Sequence, residues 1–246
     1  FNININIFIV KYIYKMEKCQ YGETSPEVKN LQEQLNLLGY GLKSDSNFGK
    51  NTLTAINNFQ KLNKLTIVDF VDDDLYKKIQ ENIDFNSKID KPSVNKIMTL
   101  HPKIRFEVLH LFKECFKKNL KIRIVQGYRT FAEQDALYAQ GRTKPGQIVT
   151  KARGGMSNHN YGLSFDFCLL KSDGSISWSL TEDLNDDGNK DWMQVVDIFK
   201  ANGFDWGGTW KFKDNPHIEK TFGQGIRTLL NLHNTKKVDD NGYVII

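Results

Sequence analysis

Residues 157–168, Ser157-Asn158-His159-Asn160-Tyr161-Gly162-Leu163-Ser164-Phe165-Asp166-Phe167-Cys168, contain a strand signal and two polar groups that the strand would aim. From Gly162 onward the side chains alternate. Leu163, Phe165 and Phe167 fall on one side, and Ser164, Asp166 and Cys168 on the other. Asp166 therefore stands opposite a hydrophobic stripe, beside small neighbours that leave room for an ion and a substrate. His159 lies just ahead of the strand, where Gly162 lets the backbone turn, so the two side chains can converge. Downstream, Asp214-Asn215-Pro216-His217 adds a second imidazole, with a carboxylate three residues before it and a proline that fixes φ on the approach.

Two imidazoles and one carboxylate suit zinc, whose catalytic sites take three protein ligands and leave a fourth position for water. The same trio could hold non-haem iron as a facial triad. Spacing alone leaves these, another metal or none open. Asp214 is placed to take a proton from an activated water, and Glu219 is its rival for that role.

Outward from this stretch the pattern is mixed. Leu120, Ile122 and Ile124 alternate as a strand. Pro102 opens a helix with Ile104, Val108, Leu111, Phe112 and Cys115 on one side. Phe131–Gln140 and Asp191–Ala201 read as helices, Gly141–Gly155 as a basic, glycine-rich loop, and the stretch through Trp206, Trp210 and His217 as turns and short strands. Toward the N-terminus, Ser25-Pro26 is a helix start. Val28, Leu31, Leu35 and Leu38 then share one helical face. Thr52, Ala55, Ile56 and Phe59 suggest a second helix, and Asp72–Gln80 a third. Helices and short strands without a βαβ rhythm indicate an α+β chain. The expected layout is an N-terminal extension over 1–21, a three-helix domain over 22–81 and a polar linker with Pro92 over 82–93. A mixed α+β domain with a short antiparallel sheet follows over 94–235, then a tail over 236–246.

The 246 residues carry a formal net charge of +5. This mild balance favours anionic surfaces, but no basic run is dense enough for a nucleic-acid arm. The apolar stretch Ile7–Val10 is far too short to span a bilayer, so no stable membrane insertion is expected. Residues 1–15 lack the features of a secretory signal and read as an upstream extension or degenerate leader. Cys19, Cys115 and Cys168 are widely spaced and read as three inert thiols. Asp183-Leu184-Asn185-Asp186-Asp187-Gly188-Asn189-Lys190-Asp191 has the D-x-N-x-D-G start of a calcium loop, with candidate ligands Asp183, Asn185, Asp187 and Asp191. Its twelfth position is Gln194 rather than Glu, and the sequence favours a polar, Asp-capped loop.

Two resemblances add to this reading. Val28, Leu31-Gln32, Leu35, Leu38-Gly39-Tyr40, Phe48-Gly49, Thr52, Ala55 and Phe59-Gln60 resemble the peptidoglycan-binding type 1 domain, a three-helix wall module. Asp45-Ser46-Asn47 stands where that family usually has Asp-Gly. The Ser157, His159, Gly162 and Asp166 pattern resembles the M15 family of zinc peptidases. Leu100-His101-Pro102, Gly127-Tyr128-Arg129-Thr130, Glu133-Gln134, Leu137-Tyr138, Gly141-Arg142-Thr143 and Trp206-Gly207-Gly208 are similar too, and closest to the L-alanyl-D-glutamate branch. This resemblance implies His159, Asp166 and His217 as Zn²⁺ ligands and Asp214 as general base and later acid. It also implies Arg129 as the cation facing the developing oxyanion, and Ser157 as a substrate contact. Peptidoglycan is the implied partner, with the chain acting as a monomer at the cell wall and leaving the cell through a holin or lysis. A D,D-carboxypeptidase or dipeptidase with the same site, and a non-catalytic wall-binding protein, are the alternatives.

Overall fold

The computed structural model of the chain describes residues 18–246 and divides it into two compact units. The reading of residues 1–15 lies outside the described part. Among the described residues no helix is long and apolar enough to cross a membrane.

Of the described residues, the first unit holds 18–35 and 42–81. Its helices are α1 (Pro26–Leu37), α2 (Lys50–Leu62) and α3 (Asp73–Asn86), the last running on past the unit's end. The Ser25 hydroxyl accepts from the Val28 N–H and Asp72 from the Leu75 N–H, which satisfies first-turn donors of α1 and α3. Val28, Leu31, Leu35, Ile56, Phe59 and Ile79 form the buried face. A two-residue ladder pairs β1 (Cys19–Gln20) with β2 (Phe70–Val71), and Cys19 is fully buried. The expected extension over 1–21 therefore ends too late, because Cys19 already packs in this unit. Gln32 shows why a polar residue interrupts the leucine face. Its amide donates to Asp45, to the Asn47 carbonyl and to Thr52, and accepts from the Ser46 N–H. Ser46 has φ +69°, a left-handed conformation that favours glycine.

The second unit, residues 82–246 with 36–41, is a mixed α+β domain. Its sheet has the order β3 (Ile122–Gln126), β4 (Ser164–Leu170), β7 (His217–Glu219), β6 (Asp205–Trp206), and β5 (Ile176–Ser177) also pairs with β4. Every pairing is antiparallel. Phe165, Phe167 and Leu169 of β4 enter the core, as the alternation predicts. There Phe165 meets Phe199 edge-on and Phe167 packs on Trp192, both from α7 (Asp191–Lys200). The helix α5 (Pro102–Lys117) buries Ile104, Val108, Leu111, Phe112 and Cys115. Thr130 and Glu133 close a reciprocal cap at the start of α6 (Phe131–Ala139). All three cysteines are buried and outside any disulfide, and burial pushes the Cys115 thiol up to about 12.

Two further expectations need correction. Residues 82–93 are not a linker: α3 runs to Asn86, α4 (Lys91–Ile97) starts at Lys91, and Phe85 and Ile89 enter the core. Pro92 sits in the first turn of α4, where a missing N–H costs nothing. A helix, α8 (Ile226–Asn234), follows the last strand. Residues 236–246 are packed rather than free, because Val244 is buried and its carbonyl accepts from His101 Nε2 at 2.9 Å.

His101 Nδ1 in turn accepts the Lys103 N–H at 3.1 Å, so both ring nitrogens are committed in the neutral form. Burial lowers the His101 pKa. Below about pH 6.5 the unfolded chain takes the proton first, so this contribution to stability is lost as pH falls. Thermal unfolding from pH 8 to 5.5 should show the advantage of wild type over His101→Asn shrinking with falling pH. A pH-independent gap contradicts the assignment.

Candidate metal centre

The register of β4 against β7 sets Asp166 directly opposite His217. Cross-strand partners share a face, so the sheet alone delivers a carboxylate and an imidazole to one point. His159 arrives from the short 3₁₀ turn Asn158–Tyr161, which ends at Gly162 with φ +66°. A Cβ at Gly162 would lie 2.7 Å from the His101 nitrogen, so glycine is required by both conformation and contact.

The three side chains then meet. His159 Nε2 and His217 Nδ1 each lie 3.3 Å from Asp166 Oδ1, and 3.2 Å from one another. Among the described residues this is the group of histidine and carboxylate donors able to hold a metal ion. Each ring commits its other nitrogen elsewhere. His159 Nδ1 lies 2.8 Å from the Gly127 carbonyl, which can only accept, so that nitrogen carries the proton. His217 Nε2 donates to Glu219 at 2.9 Å. The remaining nitrogens point at Asp166 Oδ1, a buried atom with no hydrogen-bond partner. Ligands bound about 2.0–2.1 Å from a small tetrahedral ion stand roughly 3.3 Å apart, so the spacing and the donors fit such an ion.

The electrostatics agree. Burial opposes the charge on Asp166, but the two rings outweigh it and hold its carboxyl well below the usual range. Burial would lower His217, yet Asp166 and Glu219 raise it to about 9. The cluster calls for positive charge at its centre. Glu219 is held low, against its own burial, by His217 and by Asn158, which donates to it at 2.8 Å. Glu219 thus orients the His217 ring, and its place two residues along the strand puts both on one face.

A groove of about 480 Å³ opens over the centre, and Arg129, Ser157 and Asp214 line it. Arg129 is fixed by Gln134, a fully buried side chain that accepts from it at 2.8 Å and donates to the Ala152 carbonyl. One guanidinium nitrogen lies 3.9 Å from Asp166 Oδ2. Asp214 stands at the solvent edge; desolvation by the groove wall and then the charge of Asp166 raise its pKa. Its turn is clamped from β6 and the residue after it. Trp206 Nε1 donates to the Asn215 carbonyl and the Asp214 N–H to Gly207, where a Cβ would lie 2.5 Å from the Asp214 oxygen. Asp183, Asn185, Asp187 and Asp191 lie outside this groove. Glu219 as a ligand-orienting group, and Gln134, are the residues whose roles the sequence reading missed. The His-x-Glu spacing on a strand was the available signal for the first.

The donor set and the groove above it are those of a metal-dependent enzyme. The family model described as D-alanyl-D-alanine carboxypeptidase, of the M15 peptidases, matches residues 150–220, and that of a putative peptidoglycan binding domain matches residues 24–69. The peptidoglycan L-alanyl-D-glutamate endopeptidase CwlK of Bacillus subtilis (strain 168) is 53% identical over 121 residues, covering 49% of this chain and 72% of the relative. The chain belongs to the M15 peptidase family. The crystal structure of the Serratia marcescens L-Ala D-Glu endopeptidase ChiX is 21% identical and covers 54% of this chain and 88% of its own, with a TM-score of 0.39.

Replacing Glu219 with Gln removes the charge that orients His217. Metal affinity, measured by competition with a chromogenic chelator, should fall about 10- to 100-fold, while the fold is retained. Unchanged affinity would contradict this role.

Proposed function

We propose that this chain is a zinc-dependent peptidoglycan endopeptidase that hydrolyses the L-Ala–D-Glu bond of the stem peptide. The observation that carries the reading is the meeting of His159, Asp166 and His217 beneath a groove that Asp214 and Arg129 also line. The bond assignment rests on the 53% identity to an enzyme named for that cleavage. Two nitrogens and one carboxylate oxygen favour zinc over the all-oxygen ions.

Zinc held by these three residues would polarise the scissile carbonyl and acidify a water at the same site. Asp214 takes a proton from that water. As the water oxygen bonds to the carbonyl carbon, negative charge grows on the carbonyl oxygen. Arg129, already held by Gln134, offers a fixed cation for that charge without reorganising. The C–N bond then breaks, and Asp214 returns its proton to the leaving amine. Ser157, on the groove wall, contacts the substrate backbone. Residues 24–69 tether the chain to peptidoglycan and raise the local concentration of stem peptides at the cell wall, where the enzyme acts.

The Asp214→Asn variant tests the base assignment. On purified peptidoglycan its rate of new amine release should fall about 10²- to 10⁴-fold, with metal content unchanged. A near wild-type rate would transfer the role to another group.

A further inference from the structure

Two lysine or arginine side chains line the groove over the metal centre, Arg129 and Lys151. The first has its place in the proposed mechanism, and the second has none. Lys151 sits in a backbone segment that the buried Gln134 fixes on both sides. The Gln134 amide donates to the Thr150 hydroxyl at 3.3 Å and to the Ala152 carbonyl at 2.9 Å. Arg142 donates to the Thr150 carbonyl at 3.0 Å. One glutamine therefore holds both the Arg129 guanidinium and the backbone that carries Lys151. The anchor points of the two cations are set before a substrate arrives.

The Lys151 ammonium lies 4.5 Å from the centre of the Phe212 ring. Phe212 belongs to the turn between Trp210 and Asp214, a second segment of the groove lining, so the contact bridges two segments. Among the described residues no carboxylate pairs with Lys151. Val149, Met156, Trp210 and Phe212 are exposed apolar side chains of the same lining. A cation beside apolar surface attracts an anion more strongly than one in open water. A cation–π contact at an exposed site is weak enough to be exchanged for a carboxylate.

The bond named in the proposed function supplies such an anion. D-Glutamate has two carboxyl groups, and the stem peptide continues through one of them. The other is free, as a carboxylate or its amide, on the residue that provides the leaving nitrogen. The alanine on the far side of the bond carries only a methyl group. Resting on that reading, we propose that Lys151 is a specificity-determining residue that pairs with the free carboxylate of the D-glutamyl residue. The enzyme then prefers stem peptides in which this carboxyl is not amidated. Phe212 holds the ammonium at the groove until the carboxylate takes it. Arg129 stays with the developing oxyanion, so each cation serves a different anion of the substrate.

The test compares two synthetic stem peptides, identical except that the free carboxyl of D-glutamate is a carboxylate in one and a carboxamide in the other. The zinc-loaded full chain should cleave the carboxylate peptide with a kcat/KM roughly 5- to 10-fold higher, most of it in KM. Lys151→Met should bring this ratio close to 1, and Lys151→Arg should keep most of it. A merely structural role for Lys151 would slow both peptides alike and leave the ratio intact. Calorimetric binding of the two D-glutamyl products to the zinc-loaded chain should show the same preference without turnover. Equal kcat/KM for the two peptides in wild type, or a preference that survives in Lys151→Met, overturns the proposal alone. Cleavage of neither peptide at the L-Ala–D-Glu bond overturns the endopeptidase reading and this proposal with it.

Discussion

The oxygen Oδ1 of Asp166 is buried, lacks a hydrogen bond and has an imidazole nitrogen 3.3 Å away on each of two sides. Three donor atoms crowded in this way repel one another unless positive charge lies between them. Much of the second unit reads as a frame that holds this arrangement. The β4–β7 register supplies two donors, the 3₁₀ turn supplies the third, and Gly127 and Glu219 fix which nitrogen of each ring faces inward. The Phe165 and Phe167 side chains on the other face of β4 anchor the strand in the core. The polar face is thereby held rigid by the apolar one.

The same logic explains the glycines and tryptophans around the site. Gly162 permits a turn that brings His159 back over the strand, and Gly207 permits the Asp214 turn to lie against its neighbour. Trp206 ties that turn to β6, and Trp210 tilts over His217 at 5.0 Å. Arg129 is held similarly, by the buried Gln134 and with Asp166 Oδ2 3.9 Å away. In the proposed mechanism, a cation fixed before substrate arrives is what electrostatic stabilisation of an acyl transition state needs.

The parts legible in the sequence were those with a repeating pattern or a fixed spacing. Alternation located β4 and its polar face, the leucine period located α1, and the Ser25 cap and the first-turn Pro102 marked helix starts. His159, Asp166 and His217 stood out because imidazole and carboxylate recur beside a small-residue turn. The missed parts lack such a period. A seven-residue helix, α4, is too short to show one, and Phe85 and Ile89 are buried by tertiary contact within a stretch that is polar on average. Glu219 was weighed only as a base, because its partner is set by a three-residue strand. The packing of Val244 depends on His101, more than a hundred residues away, which no local reading can anticipate.

The central claim is that this centre hydrolyses one particular peptide bond. Mass spectrometry of purified peptidoglycan digested by the full chain, with and without a zinc chelator, tests it most directly. The account predicts new peptides with an N-terminal D-glutamyl residue, lost on chelation and restored by zinc. Release of free D-Ala without such termini, or no product from zinc-loaded protein bound to the wall, would contradict it.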